Sequence, residues 1–209
     1  MFAIGCFDTK MVQIGHREYL LCDECEQILS RYERRFQKTW MAAIPSLFGQ
    51  LKPMPPDRAV PVPVPDFDSF KLFHLSVFWR AAVTEHCKVG DITFGPYANA
   101  IGDMIRRGDP GGPGVFPIFG RLILDSEGAN LPVVTPLGRS ADRMDGCRCY
   151  VMSYAYCEWI LLMAPRGHRE MADMEEKCRD GRMFLLTTVP FAESKAYLLQ
   201  RAIQRKFKK

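Results

Sequence analysis

The sequence predicts an α+β fold, with a small N-terminal segment followed by a larger domain built from a buried helix and an antiparallel sheet. Three observations carry this prediction. Apolar residues recur at helical spacing over 26–43, and residues 69–85 are apolar almost all round, as in a helix at the centre of a domain. From residue 115 onward the apolar period changes to that of strands. With 209 residues, of which 47% are hydrophobic, the chain can bury a sizeable core.

The first domain is predicted over 1–50. Apolar runs at 2–7 and 11–14 flank a polar turn and predict a β-hairpin over 1–21. Cys22 and Cys25 follow as a C-x₂-C turn that leads into the helix over 26–43. The expected buried face of this helix is Ile28, Leu29, Tyr32, Phe36 and Trp40, and the opposite face carries Arg31, Arg34, Arg35 and Lys38.

A proline-rich linker is predicted over 51–65. Six prolines between 52 and 65 exclude a helix and favour extended polyproline II, so we expect a tether between two domains. The alternative is a ligand for a polyproline-binding domain.

The second domain is predicted over 66–209. Asp66 or Asp68 can cap a helix over 69–85, and Pro96 begins a second helix that ends at 107, before the glycine-rich segment 108–114. Predicted sheet members are 115–124, 132–135, 147–163 and 182–189. A polar helix is expected over 168–179 and an amphipathic one from 192 onward.

Composition limits the location and the partners. The eight cysteines accompany no secretory signal, and no apolar run approaches the roughly 18–20 residues of a membrane span. We therefore expect a cytoplasmic protein with reduced thiols and no membrane partner. The net charge of +4 permits contact with nucleic acid without arguing for it.

Cys22 and Cys25 are the predicted metal ligands. Two thiolates at this spacing approach one metal from one side, whereas a tetrahedral zinc site takes four ligands. Cys6 and His16, on the preceding hairpin, could complete a site within the chain. The alternatives are a pair of core thiols, or a redox pair, which would need a thioredoxin-like βαβ context that the sequence does not show.

The predicted nucleic-acid contact is the basic face of this helix, which consists of Arg31, Arg34, Arg35 and Lys38. The alternative is an ordinary solvated helix face. His74 is expected to be a core histidine, and Cys147 and Cys149 to be core residues rather than a second metal or redox pair. The sequence has no Walker A loop and no G-x-G-x-x-G, G-x-S-x-G or H-E-x-x-H motif.

Two segments resemble a widespread group of bacterial HNH-like zinc-knuckle proteins. They are Gly-His-Arg-Glu-Tyr-Leu-Leu-Cys-Asp-Glu-Cys-Glu at 15–26, and Asp-Phe-Asp-Ser-Phe-Lys-Leu-Phe-His-Leu-Ser-Val-Phe-Trp-Arg-Ala at 66–81. The resemblance covers most of residues 12–110. It implies a treble-clef-like zinc scaffold in which Cys22 and Cys25 are zinc ligands.

This chain departs from the family pattern in ways that bear on catalysis. The first C-x₂-C and the Ser-His-Ile-Pro-like segment with the general-base histidine are absent, and Glu26 stands where the pattern has asparagine. We expect a non-catalytic or incomplete HNH-like protein that binds nucleic acid, for example DNA, or a partner protein. One alternative is an assembly protein whose copies, or a copy and its partner, share one zinc through their knuckles. The other is the C-terminal part of a metal-dependent HNH-type endonuclease whose true start lies upstream of Met1.

Overall fold

The computed structural model describes residues 21–44, 59–84, 92–198 and 201, so the predicted hairpin over 1–21 lies almost wholly outside the described residues. Helices and a sheet together confirm the α+β class. The described helices are α1 (Asp23–Phe36), α2 (Phe67–Val83), α3 (Tyr97–Arg107) and α4 (Arg169–Gly181). The described strands are β1 (Ala59–Pro63), β2 (Ile118–Leu124), β3 (Gly138–Met144), β4 (Cys147–Tyr154), β5 (Cys157–Leu162) and β6 (Met183–Pro190).

The six strands form one sheet in the order β1-β6-β2-β5-β4-β3. The expected antiparallel sheet is a mixed one, because β6 runs parallel to β2 while the other pairings are antiparallel. After β5 the chain passes through α4 and enters the sheet on the far side of β2, which sets this direction.

The predicted strand over 147–163 is a hairpin of β4 and β5. Ala155 and Tyr156 form its turn with φ of 48° and 70°. Neither alanine nor tyrosine favours positive φ, so these two residues do not predict a turn. The indole N–H of Trp40 donates to the Ala155 carbonyl at 3.3 Å, and the Asn130 amide donates to the Tyr156 carbonyl at 3.1 Å. Side chains distant in sequence therefore hold a turn whose own residues do not favour it.

Residues 132–135, predicted as a strand, are not one, and the strand that forms in this region is β3. β3 is an edge strand, and Arg139 and Arg143 are exposed on it. Charged side chains on an edge strand disfavour pairing with another chain.

The tether prediction does not hold for residues 59–63, which form β1 at the other edge of the sheet. Val60 and Val62 point into the core, while Pro61 and Pro63 are exposed. The Val64 N–H donates to the Arg182 carbonyl at 2.8 Å, so by alternation the valines bond to β6 and the prolines occupy the positions facing the open edge. Prolines at those positions remove the outward N–H groups, which blocks edge-to-edge pairing without weakening β1.

Helix α2 is the buried centre of the molecule, as its composition predicts. The Asp66 side chain caps it by accepting the Ser69 N–H at 3.0 Å. Leu75 and Phe78 are fully buried, and aromatic residues of α2 pack on Trp159 of β5 and Phe184 of β6.

Helix α1 packs on α2 and shares its hydrophobic core. It continues into a π-helical turn, Gln37–Met41. Its buried residues Phe36, Trp40 and Ile44 are spaced four residues apart. In a straight α-helix each such step would turn the next side chain further round the helix, away from the core side. The wider π turn keeps all three on the core side. No helix among the described residues is long and apolar enough to cross a membrane.

Candidate functional site

Cys22 and Cys25 share the first turn of α1. Cys22 is the N-cap residue in an extended conformation, and its carbonyl accepts the Glu26 N–H at 3.0 Å. Cys22 is exposed and Cys25 is half-buried. The C-x₂-C spacing thus places both thiols at one accessible end of the helix.

The two thiols interact directly. Hydrogen bonds from the backbone N–H and thiol of Cys25 lower the pKa of the Cys22 thiol below its ordinary value. The same thiol–thiol hydrogen bond, followed by burial, raises the pKa of Cys25. Two cysteines at this spacing on one helical turn can bind one metal ion, which would replace a thiol proton.

Cys22 and Cys25 are two of the four ligands that a tetrahedral zinc site would need. In the part of the chain that the structure describes, no group of three or more His, Cys, Asp and Glu side chains is arranged to hold a metal ion. Cys6 and His16, the predicted additional ligands, lie outside the described residues. The chemistry of the donor pair, two adjacent thiols at a helix start, fits zinc.

A cleft of about 420 Å³ opens beside the cysteine pair, between α1, α2 and α3. Cys25 and Trp79 contribute to its wall, and Arg106 and Asp103 form an ion pair at α3. The Trp79 indole N–H donates to the Ala98 carbonyl at 2.9 Å, which fixes that wall. Sequence reasoning missed this cleft, since α3 begins about 60 residues after α1 ends and no local pattern connects them.

The predicted nucleic-acid residues lie along the outward side of α1 and its π turn, and all four are exposed. Arg34 donates to the Ser30 carbonyl of its own helix at 3.1 Å. Arg35 instead bonds to Asp66 at 2.9 Å and to Ser69 at 2.5 Å, which ties α1 to the start of α2. Arg31, Arg34 and Lys38 are therefore the residues of this face that can reach an external phosphate, and Arg35 has a structural role.

His74 is a core residue, as expected. It is fully buried among Phe70, Phe73 and Trp159, and its Nδ1 lies 2.5 Å from the Tyr154 hydroxyl. Burial lowers the pKa of His74 well below its ordinary value and raises that of Tyr154 well above. Among the described residues the hydrogen-bond partner of His74 is this hydroxyl, no carboxylate pairs with it, and its Nε2 has no partner. We therefore assign it to the core.

Cys147 and Cys149 pack with Leu162, Ala164 and Met171 in a small cluster on the other face of the sheet. Cys149 is buried and Cys147 half-buried. Both are core residues, in agreement with the expectation from sequence.

A buried ion pair between Lys71 of α2 and Glu175 of α4 was not predicted from the sequence. Their charged atoms lie 3.0 Å apart, and both side chains are at least 98% buried. The Gly114 N–H also donates to Glu175, at 2.8 Å. With φ of +74° and the backbone of His168 close by, position 114 has no room for a side chain, so glycine permits this contact.

Comparisons with protein-family models, with curated proteins and with solved structures find no match to this chain.

Proposed function

We propose that this protein is a non-catalytic or incomplete HNH-like zinc-knuckle protein that binds nucleic acid. One observation carries the proposal: the first turn of α1 joins Cys22 and Cys25 at an accessible end, and the same helix presents a basic outward face. The resemblance of residues 15–26 and 66–81 to that family agrees with this arrangement.

The zinc would be structural. Cys22 and Cys25 would provide two thiolate ligands, and zinc would fix the start of α1 to whatever supplies the remaining ligands. Cys6 and His16 are the candidates within the chain, and a second copy or a partner protein is the source outside it. A cytoplasmic location, where thiols stay reduced, belongs to this proposal.

Nucleic-acid contact would come from Arg31, Arg34 and Lys38. These residues follow one another at steps of three and four along α1 and its π turn, so they face the same side. Contacts of this kind with phosphates are independent of base sequence and weaken steeply as salt concentration rises. Asp23, Glu24 and Glu26 are acidic residues of the first turn and would repel phosphates there, so the proposed surface is the basic part that follows.

The experiment is a binding titration of duplex DNA against salt concentration. Replacing Arg31, Arg34 and Lys38 together by alanine should weaken binding at every salt concentration. The slope of log affinity against log salt should also become shallower, by about one for each residue that contacts a phosphate. The matched control replaces Lys177 and Arg182 by alanine, two exposed cations in the C-terminal part of α4 and just after it.

Equal binding by the triple variant and the wild type would contradict the proposed role of α1. Cleavage of the DNA in the presence of a divalent metal would instead favour the endonuclease alternative.

A further inference from the structure

The tip of the β3–β4 hairpin is fixed against the start of α4. Asp145 and Gly146 form the turn with φ of 47° and 78°, and the Asp145 carboxylate lies 2.9 Å from His168 Nε2. The His168 side chain is 92% buried, and its backbone N–H donates to the Gly114 carbonyl at 3.0 Å. Two loops that are far apart in sequence therefore hold a defined position relative to each other.

Four arginines flank this contact, and we call them the arginine cluster: Arg143, Arg148, Arg166 and Arg169. Two of them border the hairpin turn and two border His168. All four are exposed, and none forms an ion pair with another described residue. The carboxylates adjoining them in sequence whose side chains are described are Glu170 and Asp145, and Asp145 is already bound to His168.

Two of these arginines face each other across the hairpin. Arg143 of β3 and Arg148 of β4 are register partners, so their side chains lie on the same face. The Arg143 guanidinium donates to the Gly146 carbonyl at 3.0 Å, which holds it near the turn. Like charges directly opposite each other destabilise a strand pair, and an anion between them would remove that cost.

The start of α4 adds a second anion-attracting feature at the same place. His168 is the N-cap residue, yet its side chain makes no capping hydrogen bond. The N–H groups of the first turn of this 13-residue helix carry partial positive charge and favour anions.

We propose that the arginine cluster is a second phosphate-binding surface, which contacts the backbone of a nucleic acid. Guanidinium groups suit this ligand because each can donate two parallel hydrogen bonds to one phosphate. The inference rests on the proposed function, in that both need a nucleic-acid partner. It concerns different elements of the fold, so the two can fail separately.

The test uses the full-length protein with a labelled duplex DNA and a single-stranded RNA of the same length. The variant replaces Arg148 and Arg166 by alanine, one exposed residue from each side of the Asp145–His168 contact. The Lys177/Arg182 alanine variant is the matched control. We expect binding of at least one of the two probes to weaken about tenfold or more at 0.1 M salt. The salt slope should also be shallower by about two. The control should bind like the wild type.

Wild-type affinity and an unchanged salt slope in the Arg148/Arg166 variant would overturn this inference. If the α1 variant lost binding in the same experiment, the proposed function would stand without the cluster. Competition by polyglutamate as strong as by unlabelled DNA would overturn recognition of phosphates, since carboxylates would then serve equally well. Absence of binding to both nucleic acids by the wild type would overturn the inference and the proposed nucleic-acid function together.

Discussion

Replacing Lys71 by methionine should lower the free energy of unfolding by about 3–5 kcal/mol, because it leaves the Glu175 carboxylate buried without its cation. Both side chains are at least 98% buried, and the lysine amine lies 3.0 Å from the carboxylate. Burial lowers the pKa of Lys71, while the charge of Glu175 opposes that shift. Each charge is therefore stabilised by the opposite charge of its partner, because both side chains are buried away from water.

A double-mutant cycle tests this dependence by urea denaturation at neutral pH. Lys71→Met together with Glu175→Gln should cost clearly less than the sum of the two single substitutions, because no unpaired charge remains in the double variant. Glutamine can still accept the Gly114 N–H that now bonds to Glu175. Lys177→Met, an exposed lysine of α4, should stay within about 0.5 kcal/mol of the wild type. Additive losses in the cycle would show that the two charges do not stabilise each other.

Acid should destabilise the protein through His74, by about 1.4 kcal/mol for each pH unit below 6.5. Burial lowers the pKa of His74 well below 6.5 in the folded state, whereas in the unfolded chain the imidazole keeps its ordinary value. Between those two pKa values the unfolded state binds more protons, so the free energy of unfolding falls as pH falls. Above pH 6.5 the imidazole is neutral in both states and this contribution is constant.

Two variants separate the titration of His74 from its packing. His74→Gln should lose part of the acid dependence measured by denaturation between pH 7 and pH 4.5, whatever its stability at pH 7. Tyr154→Phe removes the hydroxyl that lies 2.5 Å from Nδ1 but keeps the buried imidazole, so it should retain the wild-type dependence. Identical pH profiles for the wild type and His74→Gln would refute the assignment of this acid sensitivity to His74.

Local patterns in the sequence were sufficient to predict α1, α2 and the α+β class. The all-round apolar character of residues 69–85 and the capping residue Asp66 are both properties of short segments. β1 could not be predicted in the same way. A Val-Pro alternation signals polyproline II locally, and it becomes an edge strand because β6 bonds to the valines from more than 120 residues away.

In the candidate site, too, the features that could be predicted are those whose residues are close in sequence. Cys22 and Cys25 were predicted from the C-x₂-C spacing, and the basic face from helical spacing, which relates neighbours three and four residues apart. The engagement of Arg35 by Asp66, the cleft beside Cys25 and the contact of Asp145 with His168 depend on separate elements meeting in space. Patterns within a single segment do not predict contacts between separate elements.

The most direct test of the zinc-knuckle account is the zinc content per chain of the purified protein, measured together with its mass in solution. The account predicts stoichiometric zinc that is lost in Cys22→Ser and in Cys25→Ser and retained when Cys147 and Cys149 are both replaced by serine. About one zinc per chain in a monomer would mean that the chain completes its own site, and one per two chains in a dimer would mean a shared site. Absence of zinc, or zinc that both single cysteine variants retain, would contradict the account.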